Sequence, residues 1–505
     1  MSTTATTAFE DAMNAVSDFP TGLIIDGEEF DSATSGVTLE NINPATEEVL
    51  ATVSVAGPAD VDRAVEAARN AFATTWRRTT GRERGRLLHR LADLIERDAG
   101  RFHAIKLLEN GTPAGGPDVP MAIEVMRYFA GWADKIHGTV IPTPGAIDPA
   151  AAEGRRPELR PTHAYSTRHP VGVVAAIIAW NAPMLTTAIK LAPALAAGNT
   201  VVVKTSEQSM QGVLYLVRLI HEAGFPAGVV NVINGAGDVG KLLSEHPGVD
   251  HVSFTGSPEV GRLVAQGAAK TLKRVTLELG GKNPQLIFAD ADLDRACAGA
   301  ALAVLANQGQ VCLSGSRILV HESVYDDVLD RITRVAESVT VGDPFAPETQ
   351  MGALISARHL DRVLGYIEAG HADGARLLTG GERVDGRGYF VRPTFFADAH
   401  NEMRIAREEI FGPVGTIIRF ATDEEAIAIA NDTPFGLGAT VWTSDLSRAF
   451  VMADALHAGA VSVNAWSPLD AAVPHGGFKQ SGLGRESGFA AIEDLTEEKA
   501  VTIVF

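Results

Sequence analysis

Cysteine is nearly absent: the 505 residues hold two, Cys297 and Cys312. Two thiols cannot build a disulfide framework. No run of cysteine and histidine has zinc-ligand spacing, so no metal is expected. Basic charge is short as well, with 43 Lys and Arg against 62 Asp and Glu, a net charge of −19. The basic patch or stripe of a nucleic-acid binder is therefore missing. Long apolar runs are missing too. The longest spans residues 171–180, about half of the roughly 20 residues that a membrane helix needs. The first 20 residues carry acids but no Lys or Arg, unlike a secretory or transit leader. These absences predict a cytoplasmic protein with no membrane and no nucleic-acid partner.

What is present is globular. Apolar residues make up 46% of the chain, enough to bury large cores. A length of 505 residues exceeds one ordinary core and predicts two or three domains. Residues 1–20 read as a disordered or loosely docked tail. A short strand at 23–27 and a strand-turn unit from Asn41 follow. Helical spacing marks 59–76 and 82–97, the latter with Leu87, Leu91 and Leu94 on one face. Residues 142–170 are proline-rich, then alternating, and read as a protruding strand pair.

From Val171 the rhythm is strand, helix, strand. Strands are expected at 171–179, 200–204, 229–233, 251–254 and 274–277, with helices at 183–197, 209–223, 239–245 and 258–269 between them. That alternation predicts a parallel, doubly wound sheet. A second α/β region runs from Pro284 to about Gly477, with strands at 285–288, 317–321 and 416–420 and helices at 293–308, 324–338 and 424–431. The chain ends on a strand at 499–505.

Several short stretches could carry chemistry. Cys312 sits in Asn307-Gln308-Gly309-Gln310-Val311-Cys312, with Gly309 and Gly315 leaving the sulfur room to meet a ligand. A free cysteine is also a good small hydrophobe, and Cys297, in a small-residue helix, reads that way. Gly235-Ala236-Gly237-Asp238-Val239-Gly240 spells a dinucleotide fingerprint, yet the next strand does not end in the acid that the fingerprint requires. Phe254-Thr255-Gly256-Ser257-Pro258 is a better phosphate cradle, with Gly261 allowing close helix packing; an ordinary strand-helix turn is the alternative. Lys204 and Glu207 stand at the edge where such sheets bind ligands. Glu207 could accept from ribose hydroxyls or simply complement a helix dipole. Glu278, ending an apolar strand before two glycines, could have the raised pKa of a general base or serve a salt bridge. Asn181, after Trp180, could donate to an oxyanion or cap a helix.

Taken together, these stretches resemble the aldehyde dehydrogenase superfamily. The resemblance rests on Trp180-Asn181, Lys204 to Glu207, Phe254 to Ser257, Glu278-Leu279-Gly280-Gly281-Lys282, Gly309 to Cys312, Glu408 to Pro413 and Gly476 to Glu486, in that order. It covers the chain from about residue 20 to its end. The resemblance implies two doubly wound parallel-sheet domains, a nucleotide-binding one (20–141 and 171–279) and a catalytic one (280–480). It also implies a small β oligomerisation arm with the C-terminal tail (142–170 and 481–505), pairing with the C-terminal strand of a partner in a homodimer or homotetramer. By the same resemblance Cys312 is the nucleophile, Asn181 with the Cys312 backbone N–H the oxyanion site, and Glu278 the base that activates water. The cofactor is NAD. Trp180, Lys204, Glu207, Gly256, Ser257, Gly261, Glu409 and Phe411 are expected around it.

The sequence departs from the family pattern in three places. Ala179 and Thr205 stand where proline is frequent, away from any reactive group. Ala182 stands where phenylalanine often follows the oxyanion asparagine. With Ile189, Trp466 and Leu469 it is expected to line the substrate tunnel, and its small side chain predicts space for a bulky apolar aldehyde. No Lys or Arg adjoins these positions except Lys190, which argues against semialdehydes. Two competing readings are kept: a coenzyme-A-acylating semialdehyde dehydrogenase, and an inactive binding protein on the same fold.

Overall fold

The computed structural model describes residues 9–14, 16, 18, 20–113, 115–147, 159–466 and 469–505. Part of the expected tail is docked: residues 9–14 are helical, Ala12 is buried, and Phe9 meets Phe345 edge-on at 5.4 Å. Residues 1–8 lie outside the described residues.

Among the described residues, two large sheets organise the chain. The first has eight strands, in the order Glu28–Phe30, Leu23–Ile25, Val230–Ile233, Thr200–Lys204, Val173–Ile177, His251–Thr255, Arg274–Glu278 and Gly482–Leu483. Its four inner pairings are parallel, and the pairings of Leu23–Ile25 and Gly482–Leu483 are antiparallel. The inner strand Val173–Ile177 is buried throughout, as helices on both faces require. The second sheet has seven strands, in the order Arg376–Thr379, Thr394–Ala399, Val414–Phe420, Arg317–His321, Pro284–Ile287, Gly438–Trp442 and Ala460–Val463. Only its Arg376–Thr379 edge is antiparallel.

Local rules explain the best-read elements. Helix Pro183–Ala197 opens on proline at its first position and stops at Gly198, whose φ of 97° is left-handed, the asymmetry that helix ends favour. Helix Gly81–Arg97 starts with a capping box between Thr80 and Glu83. Its buried face is Leu88, Leu91, Ala92 and Ile95; Leu87 and Leu94 are only half-buried beside it. Helices Ala99–Asn110 and Asp118–Ala130 are among those that the periodicity does not mark. Cys297 is buried in helix Leu293–Leu305 within a core of apolar side chains, the packing role expected for it.

One expectation needs correction. Strand Thr162–Pro170 pairs with the C-terminal strand Thr496–Val504 of its own chain, not with that of a partner. The antiparallel register runs from Thr496 opposite Pro170 to Val504 opposite Thr162. Nine consecutive ladder positions are available in the same chain without any association step, so that pairing wins. Val140–Ile141 adds a third strand. Residues 148–158 of the expected arm lie outside the described residues. No helix among the described residues is long and apolar enough to cross a membrane.

Candidate active site

The Cys312 loop follows helix Leu293–Leu305 through three left-handed residues, Asn307, Gln308 and Gly309. Only glycine fits the last of these: a Cβ on Gly309 would stand 2.1 Å from the Gly412 carbonyl oxygen. Asparagine amides hold the loop on both sides. Asn283 Nδ2 donates to the Cys312 carbonyl at 2.8 Å and to Ser314 at 2.9 Å. Asn307 Nδ2 donates to the Asn181 carbonyl at 3.1 Å.

Asn181 does not cap a helix. The N-cap position is Ala182, and no side chain caps there. Asn181 Nδ2 instead donates to the Gln310 carbonyl at 3.0 Å. An amide nitrogen has two hydrogens, so a second remains to donate beside the Cys312 loop. Burial pushes the Cys312 thiol up to about 12, with Glu409 and Glu278 adding to it and backbone N–H groups of Leu313 and Cys312 opposing.

Glu278 ends strand Arg274–Glu278 and is buried. Neither of its carboxylate oxygens accepts a hydrogen bond from a described residue. Burial lifts its carboxyl well above the usual range; Glu486 lifts it further, while Lys190 and Arg485 pull it down. Glu409 lies on the same glycine turn, its Oε1 accepting from Gly281 N–H at 3.1 Å. Burial raises its carboxyl to about 7. Phe411, with a φ of 64°, meets Trp180 edge-on at 5.4 Å, and its carbonyl lies 2.7 Å from His359 Nε2.

On the first sheet a cleft of about 880 Å³ is lined by Trp180, Lys204, Glu207, Gly237, Gly240, Gly256 and Ser257, with Ile177, Phe254, Val260 and Leu263 as apolar walls. Its size suits a large organic ligand. Lys204 Nζ lies 3.7 Å from Glu207 Oε2, and burial lowers the Lys204 ammonium pKa. The Ser257 hydroxyl accepts from Val260 N–H and so caps helix Pro258–Ala269. Gly261 faces away from the cleft: a Cβ there would stand 2.6 Å from Leu279, next to Glu278.

A second cavity, of about 400 Å³, approaches Cys312 from the other side through Asn283 and Leu313. Ile189, Trp466 and Leu469 line it as expected positions, with Met121, Val125 and Leu185. Trp466 is fixed there by its indole N–H, which donates to the Leu313 carbonyl at 2.9 Å. Ala182 is not among the lining residues; its carbonyl accepts from Thr186 N–H at 2.9 Å inside the helix. His475, which no sequence motif marks, is in the wall with Nε2 3.5 Å from Glu278 Oε2. Asn283 also escaped the sequence reading, although it directly follows Lys282 of a quoted motif. No group of three or more metal-ligating side chains occurs among the described residues.

A sequence model of the aldehyde dehydrogenase family matches residues 30–501. An aldehyde dehydrogenase of Aspergillus niger is 47% identical over 487 residues, 95% of each chain. The mitochondrial aldehyde dehydrogenase of Mesocricetus auratus is 46% identical over 94% of this chain and 93% of its own. The solved NAD+ complex of aldehyde dehydrogenase from Bacillus cereus superposes with a TM-score of 0.92 at 41% identity, covering 98% of both chains. The chain belongs to the aldehyde dehydrogenase family.

Proposed function

We propose that this enzyme oxidises aldehydes to carboxylic acids with NAD through a cysteine-bound intermediate that water resolves. The observation that carries the reading is the half-buried Cys312 thiol, raised by desolvation and by the Glu409 and Glu278 carboxyls, on a loop tied to the Asn181 amide. A thiol held near 12 is not itself nucleophilic. Attack on the aldehyde carbon therefore needs a base for the thiol proton, and Glu278 is a carboxyl suited to it. The oxyanion that forms is met by the spare Asn181 N–H and the Cys312 backbone N–H. One such donor is worth about 3 kcal/mol in the transition state. After oxidation to the thioester, Glu278, having passed the thiol proton on to water, takes a proton from the attacking water.

The cleft on the first sheet fits NAD. Its volume and apolar walls suit a dinucleotide, and a basic group and an acceptor for hydroxyls stand side by side in its lining. Lys204 and Glu207 would hold the adenosine ribose, Gly256 and Ser257 the pyrophosphate, and Trp180, Glu409 and Phe411 the nicotinamide end. When bound, NAD accepts the hydride that the oxidation releases. Glu207 favours NAD over NADP, because a carboxylate accepts from two hydroxyls and repels a 2′-phosphate. The division of labour proposed is 20–141 and 171–279 for cofactor and 280–480 for chemistry. The apolar cavity of about 400 Å³ supports a bulky aldehyde, aromatic or terpenoid in type.

The raised carboxyl of Glu278 favours hydrolysis over acyl transfer to coenzyme A, which needs no carboxylate base. An absorbance screen of aliphatic and aromatic aldehydes with NAD, NADP and coenzyme A tests this. The expected result is NADH formation without coenzyme A, slower with NADP, and lost by orders of magnitude in Cys312→Ala. Turnover only with coenzyme A, or equal rates in Cys312→Ala, would overturn the reading.

A further inference from the structure

A buried carboxylate that takes a proton from water must release it before the next turnover. The nearby ammonium is committed elsewhere. Lys190 Nζ donates to Glu486 Oε1 at 2.5 Å and to Ser253 Oγ at 3.0 Å. Ser253 Oγ donates to the same Glu486 oxygen at 3.0 Å. What faces Glu278 is the imidazole of His475, with Nε2 3.5 Å from Oε2.

That imidazole is held in place by its own backbone. His475 N–H donates to the Glu486 carbonyl at 2.6 Å, and the His475 carbonyl accepts from Glu486 N–H at 2.7 Å. The next residue covers the other oxygen: a Cβ on Gly476 would stand 3.0 Å from Glu278 Oε1. The His475–Gly476 segment thus spans the carboxylate. The ring also lines the substrate cavity, where water can reach it. Catalytic hydrogen bonds are commonly long before substrate binds and tighten afterwards.

We propose that His475 is a positioning residue for Glu278 that also takes over its proton. The proposal rests on the reading of Glu278 as the base for hydrolysis. Water oxygen bonds to the thioester carbon, and its proton goes to Glu278. The C–S bond then breaks, Cys312 leaves as a thiolate, and it takes the proton that the carboxylic acid product releases. The Glu278 O–H next donates to His475 Nε2, and the proton crosses to give carboxylate and imidazolium. The imidazolium releases a proton to water in the cavity. No electrons are gained or lost in this sequence.

Four charged groups set the balance around the ring: Glu278 at its strand end, Glu486 and Arg485 on the turn before helix Gly488–Asp494, and Lys190 on helix Pro183–Ala197. Burial holds the imidazole below the usual histidine range; Glu486 opposes this, while Arg485 and Lys190 assist. A ring that is neutral at neutral pH is free to accept.

The test compares stopped-flow NADH formation with steady-state turnover in wild type, His475→Phe, His475→Gln and Glu278→Gln. In His475→Phe the first NADH per site should form at the wild-type rate, followed by a steady rate at least about 10-fold lower, the scale of a lost proton-transfer partner. Glutamine can hold the carboxylate but cannot carry a proton, so His475→Gln should recover less than half of the loss. The acid limb of the kcat profile should shift in both variants. Equal loss in the burst and the steady phase would make His475 a packing residue. Full recovery in His475→Gln would remove the proton transfer. If Glu278→Gln turns over normally, the base assignment fails as well. If it stops while His475→Phe is unaffected, the base stands and only the proposal falls. Thermal midpoints confirm that each variant is folded.

Discussion

At the residue scale, the chemistry depends on charges that burial does not welcome. Glu409 shows this most simply, since burial raises its carboxyl to about 7 from an unfolded value near 4.3. Between those values the native state binds more protons than the unfolded chain, so stability falls as pH rises. Below about 4.3 both states are protonated, and above about 7 both are ionised and the penalty is constant. Glu409→Gln removes the charge. Its thermal midpoint relative to wild type, measured without NAD, should therefore climb between pH 5 and pH 8. A constant difference would show that the carboxyl is not raised. A second prediction concerns substrate size. Ile189 lines the cavity and Ala182 does not. Ile189→Trp adds an aromatic wall of roughly 150–250 Å² where the substrate passes. It should cut kcat/KM on benzaldehyde-like substrates far more than on acetaldehyde, and more than Ala182→Phe does. Equal effects of the two substitutions would place Ala182 in the tunnel after all. Cys312, Glu278 and Asn181 were legible because each sits in a string with glycines or a strand end around it. His475 was not, because its place beside Glu278 arises only when residues 197 positions apart in the chain meet.

At the scale of elements, legibility followed local punctuation. Pro183, Pro258 and Gly198 mark helix ends by backbone conformation, and the strands around them are built on apolar runs such as Val173–Ile177 and residues 201–203. Helix Ala99–Asn110 lacked that signal because its last turn buries polar residues, Glu109 and Asn110. Strands Thr394–Ala399 and Gly438–Trp442 are short, without alternation, and buried at nearly every position. Glu109 explains why a polar end can be buried. Its carboxylate accepts from Asn41 Nδ2 at 2.7 Å and from Met210 and Gln211 N–H at 2.9 Å each. It thereby supplies the N-terminal acceptors that helix Gln211–Glu222 otherwise lacks, on the favourable side of its dipole. Glu109→Ala leaves those buried donors unpaired, at a cost of about 3 kcal/mol. The expected outcome in differential scanning fluorimetry is a thermal midpoint lower by several degrees. An unchanged midpoint would show that water replaces the carboxylate at no cost.

At the scale of the whole molecule, the two parallel sheets were legible from their alternating rhythm, but the partner of the last strand was not. Period-2 patterns say which face a strand buries, not which strand lies beside it. The three-stranded sheet built from Val140–Ile141, Thr162–Pro170 and Thr496–Val504 nevertheless leaves an unfinished surface. Val140, Ile141, Ile503, Val504 and Phe505 are exposed, and the strands at its two ends have no further partner among the described residues. Open edges with apolar side chains invite pairing or aggregation unless they are covered. The net charge of −19 opposes indiscriminate association, and further copies of the chain are the cover expected here. The expected assembly is a homodimer or homotetramer, read by multi-angle light scattering. Deleting residues 499–505 removes the outer strand beyond its first three residues and most of the exposed apolar face. That variant should elute as a smaller species while NAD still raises its thermal midpoint, because the cofactor cleft uses none of these residues. A wild-type monomer, or an unchanged assembly in the truncated chain, would show that this sheet is not where copies meet.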